Sequence, residues 1–142
     1  MKKEFRQWQL KTFSGKGYDL TPVEFKDTAP FEVKRMYYIT KFYQNAETGQ
    51  HCHKIEEEVF IQAQGSSTLV IDRGNGKEEM IMNTSDAVYV PNYVWHGFIK
   101  PSADCVIIAL SSTNYTPDRS DYVEDYDAYM ALRDVELAKH TQ

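Results

Sequence analysis

Four histidines occur in the 142-residue chain, at positions 51, 53, 96 and 140. His51 and His53 are two apart, so on an extended strand both imidazoles project from one side and Cys52 from the other. A single histidine is commonly a satisfied structural group. A pair in register, followed by Glu56, Glu57 and Glu58 and later by His96, is better suited to chemistry at a shared point. Two chemistries fit. In one, His51, His53, His96 and the carboxylate of Glu58 hold Fe, Mn, Ni or Zn and leave positions for a substrate. In the other there is no metal. A neutral imidazole, a good base near pH 7, removes the acidic proton beside a ketone. A second histidine or a tyrosine then steadies the developing enolate oxygen. Tyr37 and Tyr38 are candidates, because their strand precedes the His-x-His strand. The glutamate run also has a bland reading, as a solvated edge.

The elements that must position these residues read mainly as sheet. Short apolar segments are separated by turn signals throughout. Residues 33–43 (VKRMYYITKFY) alternate, and both faces carry aromatics, so the pattern leaves open which face is inward. Residues 51–65 contain the histidine pair and then Val59, Ile61 and Ala63 on one face. Gly65-Ser66 is a turn and 67–72 returns. Asp72 to Gly76 is a hairpin connection, with Asn75-Gly76 suited to positive φ. Strands over 78–82, 87–90, 94–99 and 104–112 complete a set of about seven or eight. Such a set favours a closed barrel or jelly roll, which leaves no unprotected edges. The tail differs: Asp121 with Glu124 resembles a capping box, and apolar residues recur at helical spacing, predicting a helix over 121–138.

Length allows one core and one domain, 1–142, with the barrel over about 5–112 and the tail and helix over about 113–138. Charge is 16 minus 21, or −5, with no basic stretch, which argues against nucleic acid as the main partner. The N-terminus has no apolar run after its lysines, and no segment approaches a membrane span, so a cytoplasmic protein is expected. Two cysteines, Cys52 and Cys105, are too few for a disulfide scaffold and read as free thiols.

His51-x-His53, then Glu58, then Gly65 resembles the first sequence motif of metal-binding cupins. Pro91 followed by His96 resembles part of the second. Over nearly its whole length the chain resembles a narrower family, the cupin-fold, WxcM-like 3,4-ketoisomerases that act on dTDP-4-keto-6-deoxyglucose. The matching blocks are LTPVE (20–24), PFEVKRMYYI (30–39), HCHK (51–54), GSSTLVID (65–72), YVPNYVWHGF (89–98), DCVIIALSS (104–112) and SDYVEDYDAY (120–129).

The resemblance implies an all-β, single-domain cupin/jelly-roll barrel with a short C-terminal helix. It implies an isomerase of deoxysugar biosynthesis, serving lipopolysaccharide or S-layer glycans, that needs no cofactor. It also implies a homodimer with exchanged N-terminal strands. His51 is implied as the proton shuttle, with His53 and Tyr38 sharing the catalytic work. Arg35, Tyr37 and His96 would contact the dTDP-linked 4-keto-6-deoxyhexose, and Lys54 or Lys41 would supply an anion contact in place of the arginine that members carry before the His-x-His motif. The chain departs from the family in three places. Glu47 to Gln50 stand where members carry Arg-Gly, Glu58 stands where they tend to have Gln, and Gly17-Tyr18 replaces an Arg-Gly pair.

Overall fold

The computed structural model describes residues 3–140. In chain order its strands are β1 (Arg6–Gln9), β2 (Phe13–Ser14), β3 (Asp19–Leu20), β4 (Arg35–Ile39), β5 (Cys52–His53), β6 (Glu58–Gln64), β7 (Ser66–Asp72), β8 (Lys77–Asn83), β9 (Asp86–Val90), β10 (Trp95–Ile99), β11 (Val106–Ser111) and β12 (Tyr122–Val123). A single helical turn, α1 (Phe25–Thr28), precedes β4, and α2 (Tyr126–His140) closes the chain.

Two antiparallel sheets face each other. One has the order β1-β9-β6-β11-β4 and the other β10-β7-β8. The short β12-β5 ladder extends the second sheet through a bridge between His51 and His96. Among the described residues no ladder joins the two sheets, so the jelly roll is closed by side-chain packing. That packing is the inner core: Phe60 from β6, Leu69 and Ile71 from β7, Met82 from β8, Val88 and Val90 from β9, Phe98 from β10, and Ile107 and Ala109 from β11.

The larger sheet is covered on its outer face too. Leu10, Val23, Ala29, Phe31 and Val33 pack on Val59, Ile61, Ala87, Tyr89 and Leu110. This explains why β6 and β9 are buried on both faces. The third cluster lies outside the second sheet, where Tyr129, Tyr126 and Met130 of α2 pack on Cys52 and Trp95. Cys52 thus faces away from the histidines. Both cysteines are free and buried.

Two expectations need correction. The twelve strands exceed the seven or eight expected, because β2, β3, β5 and β12 are two-residue ladders with no sequence periodicity to reveal them. The helix does not begin at Asp121. It begins at Tyr126, where the Asp125 carboxylate accepts the Ala128 N–H at 2.8 Å and satisfies one of the first-turn amides. Asp121 lies in the strand-like segment before it and has other partners. In the hairpin after β7, positive φ falls on Gly74 and Gly76.

Candidate functional site

β5, β6, β10 and the tail segment before α2 bring the site together. Parity along β6 turns Glu58, Phe60 and Gln62 toward the inner side and Val59 and Ile61 outward. Across from Glu58, His96 is the second residue of β10. Gly97 next to it admits close passage of another chain segment. A Cβ there would stand 3.1 Å from the Gln50 Cα. The approach lets the His51 and His96 backbones exchange hydrogen bonds at 3.0 and 2.9 Å, which sets the two rings 4.8 Å apart.

The hydrogen-bond partners assign the protons. His51 Nδ1–H donates to the Gly49 carbonyl at 2.9 Å, leaving Nε2 as the lone-pair nitrogen of a neutral ring. His53 Nε2 lies 3.1 Å from it and must donate. His53 Nδ1–H donates to Asp121 Oδ2, also at 3.1 Å. With a proton on each nitrogen, His53 is an imidazolium. Glu58 Oε1 accepts from the Tyr37 hydroxyl at 2.6 Å. Its Oε2 lies 3.1 Å from His96 Nε2 and 3.6 Å from His53 Nε2. His96 Nδ1 faces the Val94 carbonyl at 3.0 Å.

The electrostatics agree with this assignment. Burial, and then the neighbouring His96 and His53, push the His51 pKa down to about 4. Burial also opposes charge on His53, but Glu58, Glu56 and Asp121 outweigh it and raise its pKa above the ordinary value. Burial alone would raise the Glu58 carboxyl; the nearby His53 and the hydrogen bond from His96 hold it well below the carboxylate range. The Tyr37 hydroxyl is pushed up by burial and by the Glu58 charge. The hydrogen bonds therefore place a neutral imidazole against a cationic one. Such a pair can accept a proton at one ring and donate one from the other.

Of the residues read from the sequence, His51, His53, His96, Glu58 and Tyr37 converge. Arg35 stands at the margin, donating from Nη2 to Glu56 Oε1 at 2.8 Å; its buried Nε has no protein partner. Tyr38 does not join them. It follows Tyr37 on β4 and so points to the other face, where it is 66% exposed. The inward tyrosine is Tyr37. Lys54 meets the site through its backbone: its N–H donates to Asp121 Oδ1 at 2.9 Å, and its carbonyl accepts from Asn92.

Three residues were missed. Glu56 accepts from Arg35 and Ser111 and lies 3.4 Å from His53 Nδ1. Asp121 holds His53 as described. Tyr122 packs its ring 4.5 Å from that of His53 and 5.1 Å from that of His51, with the Arg119 guanidinium 4.0 Å from its own centroid. The block SDYVEDYDAY was the one signal pointing to this tail.

A cavity of about 140 Å³ adjoins the cluster through Glu56, Asp121 and Tyr122 and is lined also by Arg35, Asn114 and Tyr115. A larger one, near Lys3, Arg6 and Lys26, lies on the outer side of the five-stranded sheet, away from the histidines.

The same donors bear on a metal. One ligand atom from each of His51, His53, Glu58 and His96 lies within 4.8 Å of the others. A tetrahedral ion with bonds of about 2.0–2.1 Å needs ligand atoms about 3.3 Å apart, and the 3.1 and 3.6 Å separations bracket that value. These residues fit a divalent transition ion, which would act as a Lewis acid there.

A two-sheet jelly roll with convergent imidazoles on its inner side defines a cupin-like protein with an acid–base site. Its family follows from comparison. The family model described as "FdtA: WxcM-like, C-terminal" matches residues 3–134, and the chain belongs to that family. It is 34% identical over 111 residues to the TDP-4-oxo-6-deoxy-alpha-D-glucose-3,4-oxoisomerase of Aneurinibacillus thermoaerophilus, covering 78% of each chain. Among solved structures, the sugar 3,4-ketoisomerase QdtA of Thermoanaerobacterium thermosaccharolyticum in complex with TDP aligns with a TM-score of 0.83, at 29% identity over 93% of this chain and 96% of that one. The TDP-quinovose 3,4-ketoisomerase WlaRB of Campylobacter jejuni aligns at 0.81 and 26% identity, over 91% and 98%.

Proposed function

We propose that this chain is a sugar-nucleotide 3,4-ketoisomerase that moves the keto group of dTDP-4-keto-6-deoxyglucose from C4 to C3. The observation that carries this reading is the neutral His51 Nε2 lying 3.1 Å from the protonated His53 Nε2. The relatives supply the substrate. The Aneurinibacillus enzyme is named for that reaction, and a variant of QdtA forms a complex with TDP-4-keto-6-deoxyglucose.

The C4 carbonyl acidifies the proton on C3. His51 takes that proton, and the C3–H electron pair moves into the ring as the C4 oxygen gains charge. His53 donates toward that oxygen, giving an enediol. The C3 hydroxyl then gives its proton to the His53 Nε2 left neutral by the first half, the C3 carbonyl forms, and His51 returns its proton to C4, which restores both rings. Electrons and atoms balance with no external oxidant. Tyr37 and His96 hold Glu58 in place, and Glu58 in turn keeps His53 charged. Arg35, which lines the cavity beside the cluster, is the cation for the diphosphate.

The proposal extends to a cytoplasmic homodimer with exchanged N-terminal segments, working in glycan deoxysugar synthesis. Within one chain β1 pairs with its own β9. The β2–β3 hairpin beyond it exposes Phe13, Tyr18 and Leu20 and is the part suited to a partner.

The test is proton exchange at C3 of dTDP-4-keto-6-deoxyglucose in deuterated water. Wild-type protein should exchange that proton and form the 3-keto product. His51→Asn should bind dTDP and do neither. Full turnover by His51→Asn would refute the shuttle role.

A further inference from the structure

We propose that Asp121 is a positioning residue, fixing the tautomer and orientation of His53 so that His53 presents Nε2–H to His51 and the substrate. The inference rests on the ketoisomerase reading for its catalytic consequence, but not for its geometry.

Asp121 reaches His53 from 68 residues away, and its side chain is 12% exposed. Oδ1 accepts the backbone N–H groups of Lys54 and Ile55 at 2.9 and 2.6 Å. Oδ2 accepts the Glu56 N–H and His53 Nδ1–H, both at 3.1 Å. Three successive amides thus form a small anion-binding concavity filled by this one carboxylate. The Lys54 N–H also reaches the Asp121 carbonyl at 3.0 Å, and Tyr122 pairs with His53 in the β12–β5 ladder. The carboxylate cannot rotate without breaking several of these bonds, so its fourth contact, to His53 Nδ1, is geometrically fixed.

A carboxylate only accepts, so it compels a proton on Nδ1. On the other side of the ring, the lone pair of His51 Nε2 compels a proton on His53 Nε2. Asp121 therefore does for His53 what the Gly49 carbonyl does for His51: it decides which nitrogen faces the reaction, and in which form. Glu56 Oε2 is 3.4 Å from the same Nδ1, but its other oxygen is engaged by Arg35 and Ser111, which makes Glu56 the weaker partner.

Asp121→Asn separates this role from a scaffolding one. The amide oxygen still accepts from Lys54 and Ile55, so the turn keeps two of its three backbone anchors and loses the one to Glu56. The amide NH₂ then faces His53 Nδ1 and favours a lone pair there. The variant should keep wild-type dTDP binding and lose kcat on the order of 10- to 100-fold, with Glu56 limiting the loss. Asp121→Glu, which retains an acceptor, should recover part of it. Ring-nitrogen NMR of the ligand-free protein should show a hydrogen-bonded Nδ1–H on His53 in wild type and none in Asp121→Asn. Unchanged kcat in Asp121→Asn would overturn the proposal. So would a wild-type His53 without a proton on Nδ1, which decides the matter even if the variant misfolds. If wild type itself fails to exchange the C3 proton, the ketoisomerase reading falls, while the NMR result still tests Asp121.

Discussion

Replacing His51 with glutamine should change how acid destabilises the protein, and the size of the change follows from its burial. In the folded chain the His51 pKa is about 4, against about 6.5 for an unhindered imidazole. The folded state thus declines a proton that the unfolded chain takes up as pH falls through 6.5. Unfolding then binds more protons than the native state holds, and stability decreases toward acid. Between pH 6.5 and 4 the gap is about 2.5 pH units, which corresponds to about 3 kcal/mol. Below pH 4 both states are protonated and the contribution is constant. Glutamine does not titrate, so His51→Gln should lack this component. Urea melts at fixed protein concentration, from pH 7.5 down to 4.5, give unfolding free energy against pH for both proteins. Concentration must be held because association would itself shift the midpoint. The wild-type curve should fall more steeply, by about one proton's worth or about 1.4 kcal/mol per pH unit near pH 5. Parallel curves would refute the placement of His51 as a buried neutral ring. The contribution of His53 has the opposite sign. Its raised pKa stabilises the fold below 6.5 and loses that effect as pH rises through the folded value, so the two histidines are distinguishable in one titration.

Two further substitutions probe neighbouring features. Tyr37→Phe removes the hydroxyl donor to a fully buried carboxylate and should cost about 1.5–3 kcal/mol in urea melts, with reduced turnover. Tyr38→Phe, on the exposed face of the same strand, should stay within about 0.5 kcal/mol, and the opposite ranking would invert the faces assigned to β4. Asp125→Ala removes the cap of α2 and should lower stability by about 1 kcal/mol in the same assay, with kcat unchanged; no loss would mean the helix end is satisfied otherwise.

The histidine pair was legible because its placement depends only on the two-residue period of an extended chain. The same rule divided 33–43 into two faces but could not choose between them, since each carried a tyrosine. The choice comes from the opposite side of the fold. Tyr37 is the tyrosine whose hydroxyl reaches Glu58, and its parity places it with Arg35 and Ile39. Asp121 was read as a helix cap because Asp-x-x-Glu before an apolar run is the local signature of one. Its actual donors are the amides of residues 54–56 and a ring at 53, and no local pattern encodes a partner so far back along the chain. The matching blocks did include both ends of that contact without saying that they touch.

The three consecutive glutamates show how neighbouring residues of one type acquire different chemistry. Glu57 faces outward, to Lys3 at 2.9 Å and the Tyr89 hydroxyl. Glu58 turns inward and lies between Tyr37, His53 and His96. Glu56, before the strand begins, reaches Arg35 and Ser111. A buried carboxylate is tolerated only with charge and hydrogen bonds to offset its lost hydration. Glu58 meets that condition through Tyr37, His96 and His53, and Asp121 and Glu56 also hold His53 in its charged form. One of the groups that stabilise this buried anion is then also the group that can donate to a developing oxyanion, so the stability of the cluster and its acid–base capacity are coupled through His53.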